Sequence, residues 1–496
     1  MTTELLANLR GDTGPIGPTG PVNPSSAPTD TALAGWITTA GGSATQTAGD
    51  NRWGTVLNVK AFGATGDGVA DDSTAIQAAV TAAPAGAVIW FPRGTYFCRK
   101  INGTGKSNIT FDGVRGASIL KFRTTGSGAN DSLVGWNEAV APGTNDHHVT
   151  FRNLTFIGVN IFNEHQAQLH LSAIDDLTVE NCTFKQFQGD AIFVGRTAVG
   201  GADTGVVNRR WKIVNNFFDG VDYTNRNAIS VMACDDLLIA GNTFTRCSSP
   251  TMPGAIDVEP NSFDTTASVT DLTIVNNTFK DCGGFAADIG SSIVPAASPI
   301  ARWEISGNTH SGSRAGAVKL ERYNRGATDA DPLSDISVHD NIIGQPHATS
   351  TKYAFAVMGL RGVAIDRNKV TKWTNGVLFM GYDAASKVLD ISVQGNTFRE
   401  CGGGAVNYLV SLNVGARIEI SRNTAVKTGT GLDALILVAG AGPTQDVIVR
   451  DNTLRGTGEL LFKAAGTTTT NTNWAVGNIG GVAAVATYFG HINTPS

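Results

Sequence analysis

The stretch Asp271-Leu272-Thr273-Ile274-Val275-Asn276-Asn277-Thr278-Phe279 decides the fold, because the chain repeats its pattern at Leu389-Asp390-Ile391-Ser392-Val393-Gln394-Gly395-Asn396-Thr397-Phe398. The apolar residues Leu272, Ile274 and Ile391, Val393 alternate with period two, the pattern of a strand with one buried face. An Asn and a Thr-Phe pair follow each time. Outward from these two copies the Asn recurs as Asn216, Asn242, Asn277, Asn308, Asn341, Asn368, Asn396, Asn423, Asn452 and Asn478, with looser copies around Leu154 and Cys182. Successive members are 26 to 35 residues apart. A unit of that size cannot bury its own apolar face and must stack on the next, so the chain is a solenoid. Because the units are strands, the expected fold is all-β, a parallel β-helix of about a dozen coils. The Asn column is expected at a sharp turn that needs left-handed backbone, with its amides bonding along the axis.

Composition excludes several classes of function. Of 496 residues only 16% are charged, and 37 basic against 42 acidic side chains leave a net charge of −5. A nucleic-acid binder would need a basic patch or stripe, and none is visible. No apolar run reaches membrane-spanning length, and Met1 to Arg10 contains Glu4 and lacks the apolar core of a secretory signal. A soluble protein that is neither membrane-inserted nor exported by that route is expected. Of the six cysteines, Cys247, Cys282 and Cys401 each fall five residues after a column Asn, and Phe187 takes a similar place after Cys182. Interchange with Phe predicts buried, reduced thiols acting as small apolar side chains, and no Cys/His spacing suggests a metal.

Residues 1–22 end in four Gly-X-Y triplets, Gly11 to Val22, three of them with Pro in the X position. This is the period of a collagen triple helix, which requires three chains; a flexible Gly/Pro linker is the plainer alternative. Residues 23–55, rich in Ser, Thr, Ala and Gly with Trp36 and Trp53, read as a neck. The segment 56–83 opens the main domain with Phe62-Gly63-Ala64-Thr65-Gly66-Asp67-Gly68-Val69-Ala70-Asp71-Asp72. Asp72 or Ser73 is placed to cap a helix in which Ile76, Ala79, Val80 and Ala83 recur at helical spacing, and that helix is expected to cover the open first coil. Asp67, Asp71 and Asp72 do not have the order of a calcium loop. Coils are then expected over 84–480, beginning with Val88-Ile89-Trp90-Phe91-Pro92-Arg93-Gly94-Thr95-Tyr96, and a short tail over 481–496.

On the opening motif, on Phe91-Pro92-x-Gly94-x-Tyr96 and on the later Asn-rich coils, the chain resembles the pectate-lyase-like family of right-handed β-helices found in bacteriophage tailspikes, across residues 56 to 480. The collagen-like prefix is similar to that of phage tail fibres and minor tail proteins. The resemblance implies a homotrimer in the virion tail, assembled in the host cytoplasm. It implies attachment through the N-terminus to a tail or baseplate protein, and binding and cleavage of polysaccharide at the host surface. Many such tailspikes carry a sizeable C-terminal domain, whereas here only residues 481–496 are expected to follow the last coil, so trimer contacts are expected from the helix faces and the N-terminus.

One strand of each coil supplies an outward strip: Gln168-Leu169-His170, Ala191-Ile192-Phe193, Ala228-Ile229-Ser230, Ala255-Ile256-Asp257-Val258-Glu259, Ala286-Ala287-Asp288-Ile289, Ala317-Val318-Lys319-Leu320-Glu321 and Val406-Asn407-Tyr408. Residues two apart in a strand share a face, so Asp257 and Glu259 point together. Stacking of coils ~4.8 Å apart is expected to bring Asp288 beside Asp257 and Glu321 two coils beyond Glu259. Lys319, Arg322, Tyr323, His170 and Asn227 are expected to border this patch and hold substrate. The equivalent positions in other coils carry Phe193, Met358, Phe379 or Met380, so acid is not the default there. Paired carboxyl groups suit glycoside hydrolysis, with retention at separations of ~5 to 5.5 Å and inversion at ~6.5 to 9.5 Å. Glu164 with His165 and His170 form a second candidate cluster, and Asp190, Asp219 and Asp222 are reserve candidates.

Two alternatives stand beside the hydrolase. A polysaccharide lyase would use Lys319 and Arg322, with calcium as an acid clamp; the hydrolase needs no cofactor or metal. A non-enzymatic receptor-binding fibre would use Trp136, Phe193, Tyr323 and Tyr382 as a sugar-stacking groove.

Overall fold

Each repeat is laid down in one order: a strand of up to seven residues, the Asn turn, a three-residue strand and a third strand. In one coil these are Cys234–Ala240, Asn242, Thr243–Thr245 and Ile256–Val258. In the next they are Val269–Val275, Asn277, Thr278–Lys280 and Phe285–Ile289. Like residues stack on like, with Ile239 beside Ile274, Phe244 beside Phe279 and Ile256 beside Phe285, all in parallel register. The chain is a right-handed parallel β-helix with three faces. Among the described residues the first sheet has 17 strands and the second and third have 14 each, so the coils run somewhat past a dozen. The computed structural model describes residues 55–122, 132–137, 145–158, 167–187, 189–195, 198–199, 202–203, 207–220, 225–247, 254–260, 268–289, 300–314, 316–322, 326–348, 350, 353–374, 377–402, 408–426, 434–440, 444–455, 460–466, 474–476, 478, 481–483 and 491–492. The collagen-like run, Trp36 and Trp53 lie outside them.

Period-two alternation in a closed coil puts every second side chain into one continuous interior. There Phe156, Phe184, Phe218, Phe244 and Phe279 form a stack with ring centroids 4.8–4.9 Å apart, and His310 continues it at 4.4 Å. The spacing equals the coil rise, so the register that pairs the strands also stacks the rings.

The Asn column is a buried ladder. Asn341 is typical: its Oδ1 accepts from Asn308 N and Asn308 Nδ2, both at 3.0 Å, while its Nδ2 donates to Ile305 O and to Asn368 Oδ1, both at 2.9 Å. The same pattern runs unbroken from Asn216 to Asn478. The left-handed residue, however, is the one before each rung: Asn215, Gly241, Asn276, Gly307, Asp340, Arg367, Gly395, Arg422 and Asp451. The column Asn is therefore selected for its amide, which satisfies backbone groups buried at the corner, and not for its tolerance of positive φ.

At the N-terminal end the helix Ser73–Ala82 buries Ile76, Ala79 and Val80 on the first coil. Asp72 holds the N-cap position but does not cap with its side chain. Its carboxylate accepts from Thr65 N at 2.7 Å and Gly66 N at 3.1 Å and so ties down the Gly-rich turn, while Asp71 receives the Ser73 hydroxyl at 2.5 Å. Beyond residue 480, strands Gly481–Ala483 and His491–Ile492 still pair with the preceding coil, so the expected tail prolongs the solenoid. All six cysteines are buried and free. Burial pushes their thiols up, that of Cys182 to about 12.

Candidate functional site on the third sheet

The third sheet carries the outward strip. Its central file runs His170, Phe193, Ser230, Asp257, Ala286, Lys319, Ala356, Phe379 and Ser411, each beside the next. The inward neighbours Ile229, Ile256, Val231 and Val258 are wholly buried and fix the direction of the strands.

A polar cluster gathers around Arg226, at the foot of the strand Ile229–Val231. Its Nη1 lies 3.0 Å from Asp190 Oδ2 and 3.0 Å from Ser230 Oγ, and its Nη2 lies 3.3 Å from Glu259 Oε2. Asn227 Nδ2 donates to Asp257 Oδ2 and to Ser230 Oγ, both at 3.1 Å, and Asn227 N donates to Asp190 Oδ1 at 3.2 Å. Three carboxylates thus surround one guanidinium. Burial works against the Arg226 charge, but Asp190, Asp257 and Glu259 more than offset it and hold its pKa above the ordinary guanidinium value. Asp190 is the converse case: burial pushes its carboxyl up to about 6, and the attraction of Arg226 recovers only part of that shift. Asp257 is 2% exposed, whereas the side chain of Glu259 is 36% exposed. Asp190, at 4% exposed, is sealed like Asp257, and of the three only Glu259 is open to solvent.

The structure brings part of the expected patch together and separates the rest. Asp257, Glu259 and Asn227 come together as predicted. Asp288 does not sit beside Asp257: the register places Ala286 there and sets Asp288 beside Glu321, on the line that continues from Glu259. The expectation took equal offsets from the start of each segment, and the strands are staggered. Only the backbone of Asp288 is described. Glu321 is held by Lys319 at 2.5 Å; Lys319 lies two coils beyond Asp257 in the file, and Glu321 continues the line of Glu259 and Asp288. Arg322 leaves the patch, because alternation turns it to the other side of the strand, where it is 5% exposed and 3.5 Å from Asp331. His170 belongs to the file but lies three coils from Asp257, edge-on to Phe193 at 4.7 Å, and burial pushes its pKa down to about 4. Trp136 is wholly buried with its indole on Asp146, so it cannot stack on a ligand. Asp219 is engaged by Arg246 at 2.6 Å on the second sheet. Val406 and Asn407 lie outside the described residues, and it is Ser411 that enters the file opposite Phe379. Tyr323, Glu164, His165 and Asp222 also lie outside them.

Sequence reasoning missed Arg226 and placed Asp190 in reserve. Arg226 precedes the strand of its coil and Asp190 opens the strand Asp190–Val194, and Arg226 N donates to O of Gly189, the residue before Asp190, at 3.0 Å. The usable signal was a charged residue in each of two consecutive coils just ahead of the strip. Among the described residues, no group of three His, Cys, Asp or Glu is placed to hold a metal ion, and no helix is long and apolar enough to cross a membrane.

This is a right-handed parallel β-helix with a cluster of carboxylates and one arginine beside the outward file of its third sheet. Residues 56–284 match the family model described as rhamnogalacturonase A/epimerase, pectate lyase-like. Among solved structures the chain is similar to pre-mature gene product 12 of bacteriophage phi29, with a TM-score of 0.57 and 15% identity over 86% of this chain and 56% of that one. It is similar to tailspike protein 3 of bacteriophage CBA120, with a TM-score of 0.56 and 12% identity over 86% of this chain and 62% of that one. The chain therefore spans less than two thirds of the length of either protein. An N-terminal fragment of the phi29 protein matches at a TM-score of 0.53 and 14% identity, over 85% of this chain and 71% of that one. No curated protein sequence matches.

Proposed function

We propose that this protein is a phage tailspike that recognises and depolymerises a bacterial surface polysaccharide by glycoside hydrolysis at the Arg226 cluster. The observation that carries the reading is the gathering of Asp190, Asp257 and Glu259 around one guanidinium, with Glu259 open to solvent beside the outward file. Hydrolysis requires one carboxyl that keeps its proton and one that is ionised. Asp190, which burial holds protonated up to a pH of about 6, is the donor to the leaving oxygen. Glu259, the most open of the three, is the base or nucleophile. Asp257, locked by Asn227, orients the cluster, and Arg226 supplies positive charge beside the developing anion. Asp288, Glu321 and Lys319 continue the same face and are assigned to sugar hydroxyls. The lyase alternative loses support because Arg322 is buried against Asp331 and Lys319 is engaged by Glu321.

The test replaces Asp190 and Asp257 by Asn and Glu259 by Gln, one at a time, and follows reducing ends released from polysaccharide of a susceptible bacterium. At least one variant is expected to lose roughly a hundredfold of rate while binding survives. Full activity in all three would move the chemistry to Asp288 and Glu321 or off this face.

A further inference from the structure

Four coils along the central file from Asp257, a second feature stands on the same outer face. Tyr353 and Phe379 pack with centroids 4.9 Å apart and planes inclined by 33°, and Phe379 and Tyr382 lie 6.2 Å apart at 41°. Phe379 belongs to the file, and Tyr382 is 64% exposed. Tyr353 and Phe379 are half-buried and Tyr382 is exposed, and none of the three belongs to the buried core, so their placement together calls for another partner. On the other side of Asp257, two coils back, Phe193 stands in the same file with His170 against its edge. Between the two aromatic sites the file is set by Ser230, Asp257, Ala286, Lys319 and Ala356, and apart from Lys319 none of these is long enough to block passage along the face. The cluster is thus bracketed by aromatic rings along the helix axis.

We propose that Tyr353, Phe379 and Tyr382 form a carbohydrate subsite that stacks pyranose rings of a glycan running along the helix axis from the Arg226 cluster, with Phe193 marking the other end. The inference rests on the proposed glycan-cleaving function and adds the direction, length and anchoring of the substrate. With coils ~4.8 Å apart, the platform lies about 19 Å from Asp257 and about 29 Å from Phe193, the reach of an oligosaccharide and not of a single sugar. Pyranose rings present flat C–H faces to aromatic faces while tyrosine hydroxyls meet their rims, which is why an amphipathic aromatic suits a wet glycan track.

The experiment uses the full chain and size-fractionated oligosaccharides made by mild acid hydrolysis of capsular and O-chain polysaccharides from a panel of bacteria. Affinity of the unmodified protein is expected to rise with oligosaccharide length until the track is filled. In the Phe379→Ala, Tyr382→Ala double variant that rise is expected to vanish, a loss of roughly tenfold for the longest fragments, with short fragments bound and cleaved as before. Tyr382→Trp alone should keep the rise, because it preserves an aromatic face at the exposed position. An unchanged length dependence in the double variant, with glycan still bound, overturns the subsite alone. A change in solution mass in the double variant also overturns it and makes the platform a subunit contact. If the unmodified protein binds none of the fragments, the proposed function falls, and the subsite falls with it.

Discussion

His310 shows how far one residue can depart from its column and still obey it. It takes the place of a phenylalanine in the ring stack, is 2% exposed, and burial pushes its pKa down to about 3. An unfolded histidine titrates near 6.5, so the unfolded chain binds the proton first and stability is lost as pH falls from about 6.5 toward about 3. At pH 5 this single group costs about 2 kcal/mol relative to neutral pH. His310→Phe should remove that acid sensitivity, raising the melting temperature at pH 5 with little change at pH 7.5; equal shifts at both values would refute it. Asp190 gives a pH signature of its own. If it is the proton donor, the cleavage rate should fall as pH rises through about 6, and Asp190→Asn should abolish both the activity and that limb of the profile.

At the scale of the element, the ladder is what makes the corner of each coil. Asn341→Ala removes four hydrogen bonds and strands the buried backbone N–H of Asn308. A loss of about 3 kcal/mol or more is expected, seen as a lower denaturation midpoint, whereas Asn341→Asp should cost at least as much by placing an acceptor where Nδ2 donates. Strand identity, the Asn column and the capping helix were legible because each depends on local period and spacing. The left-handed residue was not, since Asn215, Asp340 and Arg367 share no side-chain type and only the backbone reveals the position. The cysteines were legible through their interchange with Phe187. Thiol titration of native protein should find few or none of the six accessible until denaturation, because all are buried.

For the whole molecule, the site is where a single sequence runs out. Asp257 and Glu259 could be paired from the alternation of one strand, but Arg226 and Asp190 reach them across coils of unequal length, and Asp288 was misplaced because strand offsets differ between coils. Carboxylates converge here through stacking, which sequence spacing shows only to within a residue or two. The Gly-X-Y run of Gly11 to Val22 is expected to join three chains, so light scattering of the full chain should give a trimer, and a larger residue at Gly17 should loosen the N-terminus without lowering the main thermal transition. The central claim is that the third sheet cleaves glycan by hydrolysis. It is tested most directly by incubating the protein with purified surface polysaccharide of a susceptible bacterium and analysing the ends produced. The account predicts saturated reducing ends that accumulate with time; unsaturated uronate ends, or intact polysaccharide that stays bound, would contradict it.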